Sequence, residues 1–140
     1  MSARTLAGRM IVVTGGARGI GRGIAESLVE AGAKVVVTAR SAAAAERAAS
    51  EIGAGCIGAV FDLSSGRAGI EASVEKIWSR AGRIDTVFNN AGAVVMKPAL
   101  DTTEAEWDDL IRTNLSGLFW SCQSFARRML CVRAGAKLHH

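Results

Sequence analysis

A glycine-rich segment directly follows an apolar run near the start of the chain. Residues 14–21 are Thr-Gly-Gly-Ala-Arg-Gly-Ile-Gly, and the apolar residues 10–13 precede them. The amides that begin a helix have no acceptor within it, and the helix dipole makes that end electropositive. Glycines let the backbone turn tightly and approach a ligand without an intervening Cβ. The segment therefore predicts a turn that holds the pyrophosphate of a dinucleotide against a helix N-terminus.

The residues after this turn support that interpretation. Ile20, Ile24 and Leu28 recur at helical spacing, and a second apolar run covers residues 34–38. A lone glycine spacing is weak evidence, since the chain has 16 glycines. The succession of strand, glycine turn, helix and strand is much stronger evidence, because it forms the first unit of a dinucleotide-binding fold.

The rest of the chain alternates the same two kinds of element. Further strands are predicted over 58–61 and 84–88, and further helices over 42–52, 69–80, 103–112 and 115–130. Ser41 is placed as an N-cap, and Thr103 with Glu106 forms a capping-box pattern. The alternation predicts an α/β fold of the Rossmann type, a doubly wound parallel sheet with helices on both faces. Ligands of such sheets bind at the carboxyl ends of the strands.

Length and composition limit the classes of protein. The 140 residues, 49% of them hydrophobic, predict a single domain spanning 1–140 with a packed core. No apolar stretch approaches the ~20 residues of a membrane helix, and residues 1–4 precede no apolar secretion signal. The three cysteines, Cys56, Cys122 and Cys131, are odd in number and far apart, which is typical of reduced thiols in a cytoplasmic protein.

The charged residues and histidines do not indicate a nucleic-acid-binding or a metal-binding protein. The net charge of +4 is modest, and the basic residues are scattered rather than clustered with aromatics, which disfavours a nucleic-acid surface. His139 and His140 lack partner residues at metal-ligand spacing, so no metal site is predicted.

Four segments together resemble the short-chain dehydrogenase/reductase family. They are residues 14–21, the pair Asp62-Leu63, the Asn-Asn-Ala-Gly of residues 89–92, and Asn114 within residues 112–117. They occur in the family's order and at its spacing, and the resemblance covers residues 6–130. It implies that Gly15, Gly19 and Gly21 form the pyrophosphate turn, with Ile20 beside the cofactor.

The resemblance also implies roles for the other three segments. Asp62 would accept a hydrogen bond from the adenine amino group, and the Leu63 backbone would add to that pocket. The ribose region of the cofactor would be lined by Asn90, Ala91 and Gly92. Asn114 would kink its helix and hold a water in the proton relay. Taken singly, Asp62 is better explained as the end of a strand and Asn114 as a helix interruption. Taken jointly, the four segments favour the roles that the resemblance implies.

The end of the second strand bears on which nicotinamide cofactor is bound. An acidic residue there binds the 2′-hydroxyl of NAD and repels the 2′-phosphate of NADP. This chain has Ala39 and Arg40 at that place, with no carboxylate before Glu46. Arg18 in the glycine turn supplies a second cation for the same phosphate. The sequence therefore predicts NADP(H) in preference to NAD(H).

The family's proton-transfer residues are missing from these 140 residues. The resemblance implies a Tyr-x-x-x-Lys pair with an upstream serine, beyond a fifth strand, but the chain contains no tyrosine. Residues 131–138 do not form a convincing fifth strand, so the fold is predicted to stop after the fourth strand and its following helices. The intact class exchanges a hydride between the nicotinamide and a small carbonyl or alcohol. This chain alone is predicted to bind the cofactor without turnover.

Two alternatives follow from the same features. A sheet that ends at residues 84–88 has an apolar edge, which favours a homo-oligomer or pairing with another chain. The chain is then a non-catalytic nucleotide-binding or pairing subunit. The second alternative is a non-functional truncated product.

Overall fold

Parallel pairing organises all four strands of the sheet. A computed structural model of the chain describes residues 5–133. Its strands are β1 (Met10–Val13), β2 (Lys34–Ala39), β3 (Ile57–Val60) and β4 (Thr86–Phe88). They lie in the order β3-β2-β1-β4, and each neighbouring pair is parallel. This confirms the predicted doubly wound sheet of the Rossmann type.

The connections between the strands are helical. The α-helices are α1 (Gly19–Glu30), α2 (Ala42–Ile52), α3 (Gly66–Ala81), α4 (Glu104–Ile111) and α5 (Leu118–Arg133). A short 3₁₀ helix covers Ala99–Asp101, and a π-helical segment, Arg112–Gly117, joins α4 to α5 without a break. The Ser41 hydroxyl accepts a hydrogen bond from the Ala44 amide at 3.3 Å, as the predicted N-cap requires. No helix among residues 5–133 is long and apolar enough to span a membrane.

The sheet separates two buried clusters because side chains alternate between its faces. Val12 and Val36 face one cluster with Phe125 and the buried side of α3. On the opposite face, Ile11, Val13, Val35 and Val37 pack against α1 and the alanines of α2. Residues of both central strands are almost fully buried, as expected for a parallel sheet covered on both sides.

Small residues bring α2 close to the sheet. A Cβ at Gly58 of β3 would lie 2.5 Å from the carbonyl oxygen of Ala45, so only glycine permits this approach. Ala45, Ala48 and Ala49 are the buried residues of α2. This packing positions the start of α2 beside the glycine turn.

Several predicted boundaries were wrong, among them the strand predicted over 58–61, which runs over Ile57–Val60. The strand predicted over 84–88 begins at Thr86, because the Met10 amide donates to the Asp85 carboxylate at 2.8 Å instead of to a backbone carbonyl. The helix predicted over 69–80 begins at Gly66, after a turn in which the Ser65 amide donates to the Asp62 carbonyl. The two predicted late helices form one continuous run through the π-helical segment.

Other predictions concern the chain ends. Cys131–Arg133 belong to α5, in agreement with the absence of a strand there. The predictions for residues 1–4 and 134–140 lie outside the described residues. Among residues 5–133, β4 bonds to β1 and to no strand on its other side, as predicted for the sheet edge.

The capping box at the start of α4 generates a prediction about pH. Thr103 and Glu106 exchange hydrogen bonds, and the Lys97 ammonium donates to both Glu106 carboxylate oxygens at 2.7 and 2.8 Å. The Lys97 contact, and then the Thr103 contacts, lower the pKa of Glu106 to about 2 from its ordinary 4.5. Because the pKa is lowered on folding, these contacts contribute their full stability above about pH 4.5 and lose it as the pH falls toward 2.

We therefore expect the Glu106 carboxyl resonance to titrate with a midpoint near 2 in the folded chain. Lys97→Met removes the first contact and should move that midpoint upward. A midpoint near 4.5 in the unmodified chain, unchanged by Lys97→Met, would contradict the predicted linkage.

Candidate dinucleotide-binding site

The predicted site residues lie along one edge of the sheet. Parallel strands end at the same edge, and register pairs Val13 of β1 with both Val37 and Phe88. The Phe61 amide donates to the Ala39 carbonyl, which brings the ends of β2 and β3 together. The glycine turn, Arg40, Asp62 and residues 89–92 follow these strand ends in turn.

The Thr14 hydroxyl joins the ends of β1 and β4. Thr14 is 1% exposed, and its amide and hydroxyl both donate to the Phe88 carbonyl, over 3.0 and 3.3 Å. The hydroxyl oxygen also accepts from the amides of Asn90 and Ala91, both at 3.1 Å. One side chain at the start of the glycine turn thus bonds three polar backbone groups at the end of β4 and in the loop after it.

The Asn90 side chain extends this link into the glycine turn. Its Nδ2 donates to the carbonyls of Thr14 and Gly15, over 3.1 and 3.2 Å. The Gly15 amide donates to the hydroxyl of Thr38 on β2 at 3.2 Å, and Thr38 is fully buried. The turn is therefore held by β1, β2 and the loop after β4.

Two kinds of constraint explain the glycines of the turn. Gly15 and Gly19 have φ values of +64° and +57°, where side chains other than glycine are strained. Gly21 lies on α1 and faces the turn, where a Cβ would overlap the Gly15 carbonyl oxygen and Asn90 Nδ2. Gly21 therefore allows the first turn of α1 to lie directly against the loop.

The exposed end of α1 fits an anionic ligand. Its N-cap, Arg18, has an extended backbone, and its first turn contains no acidic residue. Within residues 5–133, no side chain caps this helix start. Ile20 on the same end is 80% exposed. Amides that no side chain caps, the positive end of the dipole and the glycines of the turn together suit a pyrophosphate.

A positively charged residue follows the second strand. Arg40 is exposed directly after β2, and Arg18 is exposed in the glycine turn. Asp62 lies after β3, where its Oδ1 accepts from the Ser64 amide at 2.9 Å and from the Ser64 hydroxyl at 2.7 Å. Asp62 thus closes a local turn, and Leu63 is buried in the core. The adenine contact stays a prediction for both residues.

Asn114 binds the loop after β4. It lies within the π-helical segment, its Oδ1 accepts from the Ala93 amide, and its Nδ2 donates to the Ala93 carbonyl, both over 2.8 Å. A Cβ at Gly92 would lie 3.3 Å from Asn114 Oδ1. The amide of Asn114 therefore pairs with the loop backbone as a strand would, which places the segment beside Gly92.

The arrangement brings most predicted residues together. Gly15, Asn90 and Ala91 form one hydrogen-bonded cluster around Thr14. Gly21 packs closely against Gly15 and Asn90, and Gly92 lies beside Asn114. Arg40 and Asp62 follow neighbouring strands at the same edge.

Sequence reasoning missed three positioning groups. They are the hydroxyls of Thr14 and Thr38 and the backbone of Ala93. Polar residues that end two buried strands are a usable signal for the hydroxyls, because buried polar groups need partners. No local signal points to Ala93.

Three comparisons with known proteins agree on one family. The family model for short chain dehydrogenases matches residues 9–137. The 3-oxoacyl-[acyl-carrier-protein] reductase of Salmonella typhimurium is 38% identical over 128 residues, which is 91% of this chain and 52% of the reductase. The NADP-dependent (R)-specific alcohol dehydrogenase of Lentilactobacillus kefiri is 40% identical over 134 residues, 95% of this chain and 53% of the dehydrogenase.

A solved structure agrees with the fold. The 3-ketoacyl-(acyl-carrier-protein) reductase from Brucella melitensis complexed with NADH superposes with a TM-score of 0.82 at 30% identity. The match covers 94% of this chain and 54% of that protein. The chain thus spans about half the length of the relatives it matches.

The packing of Gly21 generates a prediction with a control on the same helix. Gly21→Ala should destabilise the chain by about 1–3 kcal/mol, because the new methyl group overlaps backbone atoms of the turn. It should also weaken dinucleotide binding about tenfold or more, since the turn must move. Chemical denaturation and calorimetric titration measure the two effects.

Gly23→Ala is the matched control. A Cβ at Gly23 meets no atom within 4 Å, so this substitution should stabilise the helix by about 0.5–1 kcal/mol. Equal effects of the two substitutions on binding would show that the close approach at Gly21 is unimportant.

Proposed function

The chain belongs to the short-chain dehydrogenase family, and we propose that it supplies the nicotinamide-dinucleotide-binding part of an oxidoreductase. The observation that carries the proposal is the glycine turn, held by Thr14 and Asn90 against the start of α1, which no side chain caps. When bound, the nicotinamide accepts or donates a hydride, with a small carbonyl or alcohol as the other reactant. Both reductases and an alcohol dehydrogenase among the relatives support that substrate class.

The chain's own residues bind and orient the dinucleotide in this proposal. Amides of the turn, with Gly15, Gly19 and Gly21, hold the pyrophosphate, and the exposed Ile20 contacts the cofactor beside it. Asp62 accepts from the adenine amino group through the oxygen that its local turn leaves unused. Leu63 contributes its backbone to that pocket.

The loop after β4 serves the ribose region. Asn90, Ala91 and Gly92 line it, since the Thr14 and Asn114 contacts fix their backbone. As the family resemblance implies, Asn114 also holds a water for proton transfer in this proposal. Its side chain bonds to both backbone polar groups of Ala93, so we assign that water to the polar backbone of the π-helical segment.

We propose NADP(H) as the cofactor in preference to NAD(H). The family alone does not decide, because one relative is NADP-dependent and another was crystallised with NADH. The charges at the end of β2 favour NADP(H): Arg18 and Arg40 are both exposed, and no carboxylate stands between Lys34 and Glu46. Guanidinium groups bind a phosphate by strong, charge-assisted hydrogen bonds.

We further propose that these 140 residues bind the dinucleotide without turning over substrate. Reduction of a carbonyl needs a proton donor within hydrogen-bond reach of the substrate oxygen. The residues contain no tyrosine to supply the phenol that the family resemblance implies. Steady consumption of NADPH by the purified chain with a small ketone would contradict this part of the proposal.

A non-catalytic subunit that pairs with a second chain is the other candidate. The outer edge of β4 bonds to no strand among residues 5–133, and Phe88 is 38% exposed there. An unpaired strand edge is a template for association. A monodisperse monomer in light scattering would argue against it.

The charge at Arg40 generates a prediction about cofactor choice. Arg40→Asp should weaken NADPH binding about 10- to 100-fold, because an attractive contact becomes a repulsive one. NADH binding should be unchanged or tighter, since a carboxylate at this place accepts from the ribose 2′-hydroxyl. Calorimetric titration with both cofactors measures the ratio.

Lys76→Asp is the matched control, because it changes the net charge equally on the exposed side of α3. It should leave the ratio unchanged. If the unmodified chain binds NADH as tightly as NADPH, the proposed cofactor preference is wrong. If it binds neither, the chain is a non-functional product.

A further inference from the structure

A cavity of about 130 Å³ lies between α1 and α2, directly beside the glycine turn. Three arginines line it, Arg18, Arg22 and Arg47, together with Glu51 and small alanines. Three guanidinium groups around one small space repel one another, so an anion inside it is stabilised. The sequence analysis used Arg18 but assigned no role to Arg22 or Arg47.

Arg22 is already neutralised. Its Nε donates to Glu26 at 2.9 Å, and its other guanidinium nitrogen donates to Glu51 across the gap between the helices. The hydrogen bonds that Arg22 donates to Glu26 and then to Glu51 raise the pKa of Arg22. Arg22 therefore lines the cavity and ties α1 to α2 through its ion pair with Glu51.

Arg18 and Arg47 carry the remaining positive charge. Within the described part of the chain, neither side chain forms an ion pair with an Asp or Glu. Both residues are exposed to solvent. The cavity thus has one end at Glu51, where Arg22, Glu26 and Glu51 together carry one negative charge, and an electropositive end at Arg18 and Arg47.

The position of the cavity suggests its ligand. Arg18 belongs to the turn that precedes α1, and Ala44 lies in the first turn of α2, just after Arg40 and its neighbour Ser41. The end of the cavity at Arg18 and Ala44 therefore lies beside the candidate pyrophosphate turn and at the start of α2, which follows the end of β2. A dinucleotide on that turn places the ribose of its adenosine half toward the end of β2.

We propose that Arg47 is a further specificity-determining residue, which binds the ribose 2′-phosphate of NADP(H) together with Arg18 and Arg40. The inference rests on the proposed function, and it extends the phosphate site onto the body of α2. A phosphate monoester carries nearly two negative charges at neutral pH, so a third guanidinium still adds attraction. NAD(H) has a hydroxyl at this place and gains nothing from Arg47.

The small side chains of the lining are consistent with this assignment. Ala44 and Ala48 sit at the spacing of one helical turn on the cavity side of α2, and Arg47 lies beside them. A larger residue at either alanine would fill the space that the phosphate needs. Ala48 is 3% exposed, which fixes this side of α2 against the rest of the protein.

The test compares adenosine 2′,5′-bisphosphate with adenosine 5′-monophosphate, and NADPH with NADH, by calorimetric titration of the chain. Arg47→Ala should weaken binding of the bisphosphate and of NADPH about three- to tenfold, while the ligands without a 2′-phosphate change less than about twofold. Arg47→Lys should recover part of the loss, because it keeps the charge but not the forked geometry. Lys76→Ala removes the same charge far along the chain and should leave all four affinities unchanged.

The outcomes separate the two levels of the proposal. If the unmodified chain binds the bisphosphate no better than the monophosphate, the proposed NADP(H) preference itself fails. If the unmodified chain shows the preference and Arg47→Ala keeps it, the role of Arg47 alone is overturned. If Arg47→Ala weakens binding of all four ligands equally, Arg47 has a structural role and the inference is overturned. The inference is also overturned if Arg47→Ala lowers the thermal midpoint and Arg47→Lys restores that midpoint without restoring the preference for the 2′-phosphate.

Discussion

The hydroxyl of one buried threonine joins the two strands on which the site depends. Thr14 ends β1, donates to the Phe88 carbonyl of β4, and accepts from the two amides that follow Phe88 by two and three residues. A buried backbone amide without a partner is costly, so these bonds fix both loops at once. The loops are 74 to 77 residues apart in sequence. The two loops nearest the site are built on this junction, since Asn90 links it to the glycine turn and Asn114 bonds to Ala93 in the loop after β4.

Rigidity and charge are assigned to different groups around the turn. Uncharged groups, such as the buried Thr38 and the half-buried Asn90, hold the backbone through neutral hydrogen bonds. The arginines stay at the surface, where their charge is not penalised by burial. Arg22 is the exception, because Glu26 and Glu51 use its charge to hold two helices together. This division allows an anionic ligand to bind without disturbing the core.

The sequence predicted the fold and the location of the site, because both depend on patterns that repeat locally. Alternating apolar runs define the strands, and the carboxyl ends of parallel strands must meet at one edge. Strand and helix limits were less predictable where a side chain replaced a backbone partner, as Asp85 does for Met10. The pairing of Asn114 with Ala93 and the cavity beside Arg47 depend on packing between distant elements. No spacing in the sequence encodes either of them.

Backbone amide shifts on addition of NADPH test the central claim most directly, namely that the glycine turn at the start of α1 holds the pyrophosphate. The chain is small enough at 14.6 kDa for residue-by-residue nuclear magnetic resonance. The account predicts that the amides of residues 15–21 shift most, and that inorganic pyrophosphate moves the same amides. If the amide resonances of residues 15–21 do not change and the shifted resonances map to another part of the surface, the account is contradicted.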